Sequence, residues 1–283
     1  MSANSNRYYI PQPSHWPIVG SAALLCMALG ATMLVNHMTT PGVSVLLAGL
    51  AILIYMLFGW FGTVARESES GKFNTQVDLS FRWGMSWFIF SEVMFFGAFF
   101  GALFYTRILS VPWLGDMDHK LLWPDFVAKW PSAGPGIKSA FTPMEAWGIP
   151  AINTLLLLTS GATVTWAHWG LKKGNRAQLN FGLLLTIILG ISFLSLQGYE
   201  YLHAYSHLNL KLTMGAYGAT FFMLTGFHGF HVTLGTIMLI TILGRCLAGH
   251  FKAEHHFGFE AVSWYWHFVD VVWLMLFVLV YWA

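Results

Sequence analysis

Long apolar stretches separated by short polar breaks run through almost the whole chain. The hydrocarbon core of a bilayer is about 30 Å thick, and a helix crosses it in about 20 apolar residues. Seven stretches meet this requirement, at residues 18–35, 43–63, 83–105, 149–167, 181–201, 217–243 and 262–282. The breaks contain turn residues and charges, for example Thr40-Pro41-Gly42 and Lys172-Lys173-Gly174-Asn175. The pattern therefore predicts seven transmembrane helices.

The composition agrees with a membrane protein. Hydrophobic residues make up 56% of the 283 residues, charged residues only 9%, and the mean hydropathy is +0.60. A soluble domain of this length does not need so apolar a composition to build a core. We predict an all-α integral membrane protein with one membrane domain over residues 1–283. Because the net charge is only +2 and the basic residues are scattered, we expect no nucleic acid partner.

The long connection and the basic residues predict how the chain sits in the membrane. Residues 107–147 are rich in tryptophan, proline and glycine, which is typical of an ordered loop at the membrane interface. Five basic residues lie on the side of this loop: Arg107, Lys120, Lys129, Lys138 and Lys211. Nine lie on the other side: Arg7, Arg66, Lys72, Arg82, Lys172, Lys173, Arg176, Arg245 and Lys252. Since basic loops favour the cytoplasm, we predict a cytoplasmic N-terminus and a C-terminus on the outer side.

Glu92 is the most unusual residue of the third apolar stretch. It follows Arg82 by ten positions, so it lies about 15 Å into the membrane. Its helical neighbours are apolar, and its own helix offers no partner. Acids inside membrane helices are commonly functional, and the alternative is a neutral acid bonded to serine, threonine or water. We predict a proton-handling carboxyl group at Glu92.

Four further polar residues, His228, His231, His267 and Asp270, lie inside the last two apolar stretches. A charge at the bilayer centre costs about 2.5 to 3.5 kcal/mol, so these side chains should face protein, lipid head groups or water. His267 and Asp270 share a helix face, and a paired histidine and aspartate is less costly to bury than either alone. His228 and His231 share a face suited to interhelical hydrogen bonds. We predict structural polar contacts for all four.

The spacing of the histidines also raises the hypothesis of a di-iron site. Three histidine pairs resemble the histidine boxes of membrane desaturases: His203 with His207, His228 with His231, and His255 with His256. The predicted topology places them at the outer end of helix five, near the membrane centre and in a cytoplasmic loop. Groups spread over about 30 Å cannot share one metal whose bonds are about 2 Å long. We therefore predict no metal site in this chain.

A series of motifs in a fixed order carries a resemblance to a known family. The longest are FFMLTGFHGFHV at 221–232, HHFGFEA at 255–261 and WYWHFVDVVW at 264–273. Shorter ones lie upstream, including Ser91-Glu92-Val93, Thr165-Trp166-Ala167-His168 and His15-Trp16-Pro17. In this order they resemble subunit 3 of the cytochrome c oxidases, the haem-copper oxidase subunit III family, over nearly the whole chain.

The resemblance implies an architecture and a role. It implies a two-helix group, helices one and two, and a five-helix group, helices three to seven, around a lipid-filled cleft. The subunit is expected to hold no haem or copper, which belong to partner subunits, and to lie beside oxidase subunits 1 and 2. Its implied role is to support proton uptake and to protect the enzyme during turnover in aerobic respiration. Quinol-oxidising relatives typically have only five helices in this subunit, so the two additional N-terminal helices favour cytochrome c as the electron donor. The expected location is a bacterial-type inner membrane.

The resemblance also assigns residues. Glu92 corresponds to the buried acid of the family. Phospholipid head groups are expected to bind at the cytoplasmic end of the cleft, near Arg66, Arg82, Arg245, His255, His256 and Glu260.

Two functions of other classes stay open on the residues alone. One is a proton-coupled membrane transporter using Glu92 and Asp270, which predicts substrate-coupled proton flux by this chain alone. The other is a membrane di-iron oxygenase, which predicts tightly bound iron in the isolated chain. An oxidase subunit predicts neither activity without its partners.

Overall fold

Seven long helices dominate the computed structural model, which describes residues 9–137 and 139–282. Within these residues, seven helices are long and apolar enough to cross a membrane, which confirms the predicted all-α fold with seven spans. They are α1 (Trp16–Val35), α2 (Thr39–Glu69), α3 (Thr75–Leu114), α4 (Ile149–Lys172), α5 (Arg176–Ser206), α6 (Gly215–Leu247) and α7 (Phe257–Trp282). Arg7 and Lys138, which enter the charge asymmetry, lie outside the described residues.

Each apolar stretch lies inside one of these helices, and several helices extend beyond it. Backbone hydrogen bonds continue a helix into polar sequence, whereas hydropathy marks only the part that matches the bilayer. The largest extension is in α3, which reaches Leu114 through a π-helical segment at Tyr105–Ser110. Pro112 has no N–H with which to continue the α-helical pattern, and the N–H of Val111 bonds to the carbonyl of Thr106, five residues earlier.

The first compact unit ends at Phe81 and contains the hairpin of α1 and α2. Glycines bring the two helices together. A Cβ atom added at Gly30 would lie 2.5 Å from the backbone nitrogen of Leu46, and one at Gly49 would lie 2.8 Å from that of Met27. Small residues at a helix interface permit this close backbone approach in membranes.

The second unit begins at Arg82 and contains most of α3 together with α4 to α7. The division agrees with the predicted groups of two and five helices. Among the described residues of this unit, the largest fully buried side chains are two tryptophans of α7, Trp266 and Trp273. Their indole N–H groups donate to hydroxyl groups of α4, Trp266 to Ser160 Oγ at 2.9 Å and Trp273 to Thr154 Oγ1 at 2.9 Å. These two bonds fix the register of α7 on α4.

The connections at the ends of the helices are also ordered. Asn175 caps α5 by accepting a hydrogen bond from the N–H of Gln178 at 3.1 Å. The long connection between α3 and α4 is held by the segment that precedes α6 and by the first turn of α6. Thr142 N–H donates to Leu208 O at 3.0 Å, and Tyr217 N–H donates to Ser132 O at 3.0 Å.

Candidate functional site

The carboxyl group of Glu92 on α3 meets the imidazole of His231 on α6. Glu92 Oε2 and His231 Nε2 are 2.8 Å apart, a short hydrogen bond. The side chain of Glu92 is 21% exposed and that of His231 is 9% exposed. Glu92 therefore finds its partner on α6, a helix far away in sequence, and not on its own helix α3.

The second ring nitrogen of His231 limits where the proton of this pair resides. His231 Nδ1 lies 2.7 Å from the carbonyl oxygen of Phe227, which accepts hydrogen bonds only. A proton therefore belongs on Nδ1. One further proton lies in the bond between His231 and Glu92, either on Nε2 of the imidazole or on Oε2 of the carboxyl group. Without that proton, the lone pair of His231 Nε2 would face a lone pair of Glu92 Oε2. The geometry therefore places one shared proton between His231 Nε2 and Glu92 Oε2.

Aromatic rings surround the pair. The ring centroid of Phe96 lies 5.0 Å from that of His231, Phe95 lies at 5.8 Å, and Tyr265 stacks on His231 at 6.3 Å. Such surroundings have a low local dielectric, which strengthens the hydrogen bond and makes an unpaired charge costly. The hydrogen bond between Glu92 and His231 therefore gives each polar group a partner inside this apolar surround.

His228 lies one turn before His231 on α6 and behaves differently. Its ring packs against Trp273 at 5.2 Å and against Phe193 at 5.7 Å. Within the described part of the chain, neither of its ring nitrogens has a hydrogen-bond partner. Of the two histidines expected to bond across helices, His231 makes the bond and His228 packs as a ring.

His267 and Asp270 form a contact between α7 and α4. His267 Nδ1 lies 3.7 Å from Asp270 Oδ2, and His267 Nε2 lies 3.2 Å from Thr165 Oγ1 on α4. Asp270 sits directly against Gly161, where an added Cβ would lie 2.4 Å from its carboxylate. The side chain of His267 is 44% exposed and lines an open groove of about 540 Å³. The geometry is that of a helix-to-helix polar contact.

Three of the six residues that the resemblance assigns to lipid lie together at the start of α7. His256 Nε2 is 3.1 Å from Glu260 Oε1, and the guanidinium of Arg82 bonds to Glu260 Oε2. His168, near the end of α4, completes the group, with its Nε2 at 3.2 Å from His256 Nε2. We call His168, His256 and Glu260 the α4–α7 cluster.

The contacts of the other three residues are local ones. Arg66 bonds to Thr63 Oγ1 at 3.2 Å within α2. Arg245 lies over the ring of Phe251 at 4.3 Å. His255 is exposed, on the turn before α7. Lipid binding by these residues stays a prediction.

Two residues of interest, Glu200 and His168, were not singled out in the sequence. Glu200 on α5 is fully buried and accepts a hydrogen bond at 2.7 Å from Tyr281 near the end of α7. Its signal was the same as that of Glu92, an acid inside an apolar stretch, but it lay at the edge of residues 181–201. His168 stood in one of the motifs that carry the resemblance, but its partners His256 and Glu260 lie far along the chain and could not be identified from it.

Comparisons with known proteins cover the whole of this fold. The family described as "Cytochrome c oxidase subunit III" matches residues 6–283. "Cytochrome c oxidase subunit 3" of Marchantia polymorpha is 43% identical over 276 residues, which are 97% of this chain and 96% of the relative. The protein of the same name from Loxodonta africana is 41% identical over 283 residues, 100% of this chain and 99% of the relative. That of Triticum aestivum is 40% identical, over 100% of this chain and 98% of the relative.

These similarities favour an oxidase subunit over a transporter or a di-iron oxygenase. They extend over the whole chain, including the helices that carry Glu92, His231 and the α4–α7 cluster. The chain belongs to the cytochrome c oxidase subunit III family.

Proposed function

We propose that this chain supports proton uptake by the catalytic subunit of its oxidase, with Glu92 and His231 as its proton-holding pair. As a family member, the chain is a multi-pass membrane subunit of an oxidase complex. The observation that carries the proposal is the hydrogen bond of 2.8 Å between Glu92 and His231 inside an aromatic surround.

The proposal gives this chain no redox centre and no catalytic residue of its own. The haem and copper that reduce oxygen belong to partner subunits, which we take to be oxidase subunits 1 and 2. Cytochrome c supplies electrons to the complex, and phospholipids bind to the basic residues of this chain. The complex lies in a bacterial-type inner membrane, with the N-terminus of this chain in the cytoplasm and its C-terminus in the periplasm.

The chemistry of the pair supports the proposed proton role. Because the Nδ1 proton of His231 is engaged by Phe227 O, the pair gains or loses only the proton shared with Glu92. A group that exchanges one proton in a poorly hydrated region buffers the protons that a neighbouring pathway draws on. The pair contributes most at alkaline pH, where free protons are scarcest.

The test is steady-state turnover of the native oxidase complex as a function of pH. Glu92→Gln keeps the shape of the side chain and removes its exchangeable proton, so we expect an assembled complex whose turnover falls more steeply at alkaline pH. The matched control is Glu200→Gln, which changes another buried acid in the same helical unit and keeps an acceptor for Tyr281.

The control separates the pair from buried acids in general. We expect Glu200→Gln to follow the wild-type pH profile. Identical profiles for the wild type and Glu92→Gln would reduce Glu92 to a packing residue and refute the proposal.

A further inference from the structure

Three ligand-type atoms of the α4–α7 cluster converge on one point. His168 Nε2 and His256 Nε2 are 3.2 Å apart, and His256 Nε2 and Glu260 Oε1 are 3.1 Å apart. The third side of the triangle, from His168 Nε2 to Glu260 Oε1, is 3.6 Å. All three atoms lie within 4.8 Å of one another, as ligands of one metal ion must.

The size of this triangle fits a tetrahedral zinc site. Zinc binds histidine nitrogen and carboxylate oxygen at about 2.0 to 2.2 Å, which separates two ligand atoms at a tetrahedral angle by about 3.3 to 3.6 Å. The three observed separations lie within about 0.2 Å of that range. Two histidines with one glutamate also form a known set of zinc ligands, which leaves one position open.

The surrounding contacts orient the ligand atoms. His256 Nδ1 lies 3.1 Å from the carbonyl oxygen of Lys252, so Nδ1 donates to that carbonyl and Nε2 is the ring nitrogen that faces the triangle. Glu260 uses its other oxygen for Arg82, which leaves Oε1 for the centre. Metal-binding histidines and carboxylates are typically held in this way by carbonyl groups and hydrogen-bond donors.

Local sequence and fold explain how the ligands meet. His256 is the residue that caps α7 and Glu260 lies in its first turn, four residues later, so both project from one face. His168 comes from the last turns of α4. The side chains of His256 and Glu260 are 7% and 11% exposed, and that of His168 is 17% exposed. The triangle is therefore partly enclosed and still reachable from outside.

We propose that His168, His256 and Glu260 bind one divalent transition-metal ion, with Zn²⁺ as the best match, and that the ion joins the end of α4 to the start of α7. The inference departs from the expectation of no metal and is independent of the proposed proton role. It also reassigns His256 and Glu260 from lipid binding. A carboxylate that points into the triangle repels a phosphate head group and attracts a cation.

The first test measures the zinc content of the purified oxidase complex. The complex is treated with a chelator, equilibrated with ZnCl₂ alone, freed of loose metal and analysed by elemental mass spectrometry. We expect His256→Gln and His168→Gln to hold one zinc ion fewer per complex than the wild type. The matched control, His255→Gln, changes the adjacent exposed histidine and should retain the wild-type content. Equal zinc content in all four proteins would overturn the proposal.

A second measurement needs no variant and decides the matter if the variants fail to assemble. Crystals of the wild-type complex soaked in ZnCl₂ are measured above and below the zinc absorption edge. We expect an anomalous peak about 2 Å from His168 Nε2, His256 Nε2 and Glu260 Oε1. No peak there, or phosphate density in its place, would refute the site.

Discussion

At the scale of single residues, Glu92 shows how a membrane helix accommodates an acid. An isolated carboxylate inside a membrane helix would be costly, and Glu92 instead makes a hydrogen bond to His231 among aromatic rings. The carbonyl group of Phe227 completes the arrangement by fixing the imidazole tautomer. The chemistry of the site is therefore a property of three groups and not of Glu92 alone.

Infrared difference spectroscopy of the native complex checks the state of this pair. If Glu92 shares one proton with His231, then His231→Gln replaces a strong acceptor by a weaker one, and the carbonyl stretch of protonated Glu92 should move to higher frequency. Glu92→Gln identifies the band by its loss. His228→Gln is the control: His228 lies one turn away and makes no hydrogen bond within the described residues, so the band should stay unmoved. A band insensitive to His231 would contradict the pairing.

Sequence alone reached part of this site. Glu92 stands out because an acid inside an apolar stretch is costly to bury in a membrane, and such an acid can be recognised from the sequence alone. Its pairing with His231 and the approach of His168 to Glu260 depend on helix packing between distant segments, which no spacing encodes. The resemblance placed His256 and Glu260 at one end of the helices but did not show that they face each other.

At the scale of helices, hydropathy predicts where the chain crosses the membrane but not where each helix ends. The apolar stretches locate all seven helices because a bilayer demands a minimum apolar length. The ends lie in polar sequence, as in α2, where the helix continues to Glu69, six residues past the predicted end at Thr63. Packing between helices depends instead on small residues whose partners are known only from the fold.

The hairpin of α1 and α2 offers a direct test of such packing. Gly49→Ala places a methyl group 2.8 Å from the backbone of Met27, and we expect a loss of about 1 to 3 kcal/mol from overpacking. The measurement is the temperature at which this subunit dissociates from the detergent-solubilised complex. Gly62→Ala is the control, since an added Cβ there meets no atom of the described residues within 4 Å. Equal dissociation temperatures for the two variants would contradict the packing.

At the scale of the whole molecule, burial differs sharply between helices. In the most apolar window of α3 only 11% of residues are buried, against 50% in that of α7. Trp83, Trp87 and Met94 on α3 are all more than half exposed. Membership of an oxidase complex accounts for such a surface, because lipids and partner subunits cover the helices of a single subunit. Of the seven described spans, the one that carries Glu92 has the smallest buried fraction.

The most direct test of the account is the rate of proton uptake by the oxidase during a single turnover, measured with and without this subunit. The haem spectrum serves as the control and should be the same in both preparations, because the redox centres are expected in the partner subunits. The account predicts that removal of the subunit slows proton uptake at alkaline pH and that the complex with Glu92→Gln is slowed in the same direction. Uptake that is equally fast with and without the subunit would contradict it.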